Sequence, residues 1–138
     1  MTSGVRAARV AVLLAAGIAC GCGQSRYDVA GRVAYEDGQP YAGGGLVVLE
    51  GTVDGKAVMA RGKLEPDGRF AVSAGKAGQG VLAGSYRVRL IPPRTVDVDS
   101  PTTKLPYDEK FLACETSGVT FEVGRGGDDL VITLGPRP

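Results

Sequence analysis

Three thiols, three acidic pairs and a complete lack of histidine bound the chemistry open to this 138-residue chain. Nucleophilic catalysis needs a base beside the nucleophile. Without His, a Ser or Cys here would depend on a Lys or a carboxylate, and no motif joins the two. An enzyme is therefore not expected, and neither is a cofactor. The carboxylates fall as Asp97/Asp99, Asp108/Glu109 and Asp128/Asp129. A hard cation such as Ca²⁺ requires several oxygens converging on one point, and none of these pairs has the EF-hand spacing. They read as solvated turn residues, with no metal site expected. Gly43-Gly44-Gly45 leads into an apolar run and not into a helix opened by Lys and Ser or Thr, which argues against a phosphate-cradling loop. Cys114 reads as a buried small hydrophobe or unpaired thiol. It can pair with Cys22 only if both Cys20 and Cys22 survive processing.

With 16 basic and 15 acidic residues the chain is nearly neutral, so no nucleic-acid partner is expected. The N-terminus has a different character. Arg6 and Arg9 form a positive region without acids, and Val10 to Ala19 form an apolar segment too short to span a bilayer, the layout of a signal peptide. Gly17-Ile18-Ala19-Cys20-Gly21-Cys22 then resembles the lipobox of bacterial lipoproteins, in which a thiol accepts diacylglycerol and becomes the new N-terminus. Both Cys20 and Cys22 fit that role. Ile18-Ala19 before Cys20 is the better small-residue cut, and Gly21 before Cys22 is also small. A plain secretory signal cut nearby, or a single-pass anchor, are the alternatives. The resemblance implies a domain tethered to a membrane by an acylated cysteine. With Gly and not Asp after either cysteine, it implies the outer membrane where the cell has two.

The elements that must carry any site are strands. Tyr86, Val88 and Leu90 alternate with Ser85, Arg87 and Arg89 between Gly84 and Ile91, a period of two stopped by Pro92-Pro93. Further strands are predicted at Tyr27–Tyr35, Gly45–Glu50, Ala57–Leu64, Arg69–Ser73, Val119–Val123 and Leu130–Leu134. Glu36-Asp37-Gly38, Asp54-Gly55 and Glu65-Pro66-Asp67-Gly68 supply turns between them. Tyr27, Val29, Val33 and Tyr35 are expected to share the inward face of the first strand. About seven short strands predict an all-β sandwich or small barrel. The stretch from Arg94 to Gly118 is long for a loop in a compact domain, a length that tends to mark function, disorder or pinning by its own side chains. Tyr107, Phe111 and Leu112 are the expected pins.

Val29-Ala30-Gly31-Arg32-Val33-Ala34-Tyr35-Glu36-Asp37-Gly38-Gln39-Pro40, Asp67-Gly68-Arg69-Phe70 and Gly84-Ser85-Tyr86-Arg87-Val88 together resemble carboxypeptidase-regulatory-like domains, which are transthyretin-like (prealbumin-like). The resemblance implies a single Greek-key β-sandwich over 27–135, after a signal peptide at 1–19 and a tether at 20–26, with a tail at 136–138. It implies fold and location more than chemistry. The expectation is a non-catalytic interaction or structural module of the cell envelope, in contact with envelope proteins or polysaccharide. Lys104, Pro106, Tyr107 and Phe111 mark its interaction loop. The alternative is a small-ligand or carbohydrate-binding carrier.

Overall fold

The computed structural model describes residues 26–75, 79–124 and 129–137. The described chain forms β1 (Arg26–Tyr27), β2 (Val29–Tyr35), β3 (Leu46–Val53), β4 (Lys56–Lys63), β5 (Arg69–Val72), β6 (Val81–Leu82) and β7 (Gly84–Ile91). After β7 come a 3-10 turn (Glu109–Leu112), the one-turn helix α1 (Cys114–Ser117), β8 (Thr120–Val123) and β9 (Leu130–Leu134). One sheet has the order β5-β2-β9 and the other β4-β3-β7-β8, while β1 and β6 pair by themselves. All ladders are antiparallel except β2 with β9.

This is the expected all-β Greek-key sandwich. β3 pairs with β4, and β4 is joined to the start of the other sheet where Arg61 and Ser73 exchange two backbone hydrogen bonds of 3.1 Å just past β5. β7 then returns to lie beside β3, which completes the Greek key. Alternation decides what lies between the sheets. Val47, Leu49, Val88 and Leu90 face Val33, Ile132 and Leu134, each essentially without solvent exposure. Each such side chain contributes about 1.5–3 kcal/mol by leaving water.

Two glycines show why the recurring motif residues sit where they do. A Cβ on Gly31 would lie 1.9 Å from the Leu130 carbonyl oxygen and 2.8 Å from the Phe70 ring. Glycine is what lets Phe70 cross β2 while β9 pairs on its other side. Gly68 holds φ at 81° and its carbonyl accepts from Val33 N at 2.8 Å, fastening the Asp67-Gly68 turn onto β2.

The first predicted strand needs correction. It breaks at Asp28, and Tyr27 pairs with Val81 in the small β1-β6 sheet, so its ring is exposed instead of joining the inward face of β2. The β1-β6 pair draws the chain aside before it enters the sandwich. β3 runs past Glu50 to Val53, because Asp54-Gly55 closes a two-residue hairpin directly onto Lys56. Both turn residues have positive φ, 50° and 75°, as a turn matching the strand twist requires.

The chain therefore enters at one end of β2 and reaches the other at Tyr35. There the Tyr35 hydroxyl donates to the Pro106 carbonyl at 3.1 Å. The long connection after β7 belongs to this far end, about 20 Å along a seven-residue strand from the entry.

Candidate functional site

The far-end loop is built from consecutive hydrogen-bonded turns. Val96 N donates to Pro93 O at 2.9 Å, Ser100 N to Asp97 O at 3.3 Å and Thr103 N to Ser100 O at 3.2 Å. Asp97 Oδ1 also accepts from Asp99 N at 3.1 Å, and Asp108 Oδ1 accepts from Lys110 N at 2.9 Å to cap the 3-10 turn. These carboxylates thus have local backbone work, in keeping with turn residues. Among the described residues no group of three or more His, Cys, Asp or Glu is placed to hold a metal ion.

An aromatic chain fixes the loop to the sandwich. Tyr35 meets Tyr41, Tyr41 meets Tyr107, and Tyr107 meets Phe111, all edge to face with centroids 5.6–6.1 Å apart. Such contacts add to the gain from burial. Tyr107 and Phe111 are buried and Leu112 is half-buried, so all three pin the loop. Of the four residues that mark the expected interaction loop, Tyr107 and Phe111 are turned inward and hold the loop in place. Lys104 is exposed and Pro106 half-buried, and Val98, about half exposed, stands outward between Asp97 and Asp99.

A second surface emerges from the strand registers. Across the outer face of the four-stranded sheet, Met59, Glu50, Arg87 and Thr120 lie in one row, with Ser85 opposite Glu122 next to it. A depression of about 700 Å³ lies here, lined by these residues together with Thr52. Period-two alternation identified Arg87 as outward. The row itself depended on pairings between distant segments.

Beside the depression lies a compact polar group. Arg89 Nε donates to Glu50 Oε1 at 3.0 Å, and this bond holds the Glu50 carboxyl below its ordinary value. Cys114 is a buried free thiol whose Sγ lies 3.7 Å from the Arg87 carbonyl oxygen. Burial, reinforced by the neighbouring Glu50 carboxylate, pushes that thiol up to about 11. A thiolate is the nucleophilic form, so the arrangement keeps Cys114 unreactive. Ser117 Oγ donates to Val88 O, and Val88 N donates to Val119 O at 3.0 Å, so α1 is fastened along β7.

Cys20 and Cys22, with the signal segment and most of the tether, lie outside the described residues. Among the described residues no helix is long and apolar enough to cross a membrane. Comparison with protein-family models, with curated proteins and with solved structures found no match.

Proposed function

We propose that the chain is an exported bacterial lipoprotein whose carboxypeptidase-regulatory-like, transthyretin-like sandwich acts as a non-catalytic interaction or structural module of the cell envelope. Acylation at Cys20 or Cys22 would tether it. The observation that carries the reading is the position of the chain entry: Arg26 and Tyr27 lie at the end of β2 opposite Tyr35 and the loop packed on it. Only six residue steps separate Cys20 from Arg26, a reach of at most about 22 Å. A lipid at Cys20 therefore keeps the entry end near the bilayer and presents Val98 and Lys104 away from it, toward other envelope components.

The test is depth measurement on the lipidated protein in vesicles. With a nitroxide at position 56 or 98, a lipid-soluble relaxation agent is expected to act more strongly at 56, beside the entry, than at 98. Failure to associate with vesicles, or stronger relaxation at 98, would contradict the proposal. The depression of about 700 Å³ favours a second reading, a carrier of a small ligand or carbohydrate.

A further inference from the structure

We propose that the depression on the outer face of the four-stranded sheet binds a neutral, hydroxyl-rich ligand, a segment of a saccharide chain. This deepens the carrier reading and is independent of the acylated cysteine. Size is the first argument, since about 700 Å³ falls within the range of sites that enclose small organic ligands.

Charge is the second. The lining holds the two carboxylates Glu50 and Glu122 and the single guanidinium Arg87. Glu50 is already engaged by Arg89, and Glu122 accepts from the Ser85 hydroxyl. Arg87 lies directly opposite Glu50 in the ladder, yet forms no ion pair within 4.0 Å among the described residues. An anion drawn to Arg87 meets both carboxylates, and a cation drawn to either carboxylate meets Arg87. A neutral hydroxyl accepts from the guanidinium and donates to a carboxylate, so it uses both kinds of group without importing charge. Thr52 and Thr120 add hydroxyls of the same dual character.

The apolar contact is the third. Met59 is 45% exposed at the end of the row formed with Glu50, Arg87 and Thr120. Its flexible thioether gives the C–H face of a sugar ring a surface to pack on. Outside this row Tyr86 and the half-buried Phe121 also line the depression, so its apolar surface extends beyond Met59.

The experiment is amide chemical-shift titration of the isotope-labelled chain with maltohexaose, cellohexaose and chitohexaose, with hexagalacturonate as the acidic counterpart. At least one neutral hexasaccharide is expected to shift Thr52, Ser85, Arg87 and Thr120. Arg87→Ala is expected to weaken that binding about tenfold, the loss of one or two charge-assisted hydrogen bonds, and Thr120→Val to weaken it less. Lys104→Ala, in the far-end loop, should leave it unchanged. A preference for hexagalacturonate, shifts that map elsewhere, or no shift with any neutral hexasaccharide at millimolar concentration would overturn the proposal. The membrane tether is unaffected by each of these results.

Discussion

Arg89 on β7 reaches diagonally to Glu50 on β3, its Nε 3.0 Å from Oε1, although the residue directly opposite Glu50 is Arg87. The diagonal pair is about two-thirds to three-quarters shielded, with side chains 27% and 32% exposed, and leaves Arg87 to face the depression. Its electrostatic consequence has a definite sign. The Glu50 carboxyl is held below its ordinary 4.5, chiefly by the hydrogen bond from Arg89. A depressed folded value gives a stabilisation that is present above the unfolded value and lost as pH falls through the folded one. Glu50→Gln is therefore expected to lower stability at neutral pH by about 0.2–1 kcal/mol. It should also flatten the loss of stability below pH 4.5. Urea unfolding of both proteins from pH 3 to pH 7 checks this, and parallel curves would contradict it.

Cys114 should behave in the opposite sense. Its folded value is raised from 9.0 to about 11, first by burial, so the unfolded thiol ionises before the folded one. This contribution to stability is intact below pH 9 and declines as pH rises toward 11. At pH 8 an aromatic disulfide reagent is expected to label Cys114 only as the domain unfolds, with labelling followed by peptide mapping. Rapid labelling of the folded protein would show that the thiol is not shielded.

Gly31 is a steric requirement. Gly31→Ala drives a Cβ to within 1.9 Å of the Leu130 carbonyl oxygen, against backbone that must move. The expected cost is at least about 2 kcal/mol. Gly135→Ala meets no atom within 4 Å and should stay within about 0.5 kcal/mol of the parent. Thermal or urea unfolding of the two variants separates a packing effect from a general intolerance of alanine.

The tyrosines at the far end should differ sharply among themselves. Tyr35→Phe removes the hydrogen bond to Pro106 O and is expected to cost about 1 kcal/mol. Among the described residues the buried Tyr41 and Tyr107 hydroxyls have no hydrogen-bond partner, and burial raises both above the ordinary phenol value, Tyr41 to about 12. Tyr41→Phe and Tyr107→Phe keep the rings and remove an unsatisfied group, so each should be neutral or stabilising. Equal losses in all three variants would contradict this assignment.

What the sequence made legible was local. Alternation of Tyr86, Val88 and Leu90 against Ser85, Arg87 and Arg89 located β7, and its burial follows that alternation with Arg89 half-buried. Asp54-Gly55 located the hairpin to its two central residues. The far-end pins were legible because Tyr107, Phe111 and Leu112 place two aromatic rings and a leucine within six residues of a stretch rich in charged and polar side chains. The break at Asp28 was hidden, since Tyr27 fits the period of β2 and only pairing with Val81 removes it. The 3-10 turn and α1 are four residues each, too short to display a helical period. The parallel pairing of β2 with β9 and the grouping of Glu50, Arg89 and Cys114 join residues tens of positions apart. No local propensity encodes such neighbours.

The proposed tether at Cys20 or Cys22 would set which end of the sandwich faces other envelope components. Its most direct test is intact mass with N-terminal peptide mapping of the protein recovered from its native membrane fraction. Loss of the residues preceding Cys20 or Cys22 and a diacylglyceryl mass on that cysteine are expected. An unmodified thiol on a protein recovered from the soluble fraction would contradict the tether.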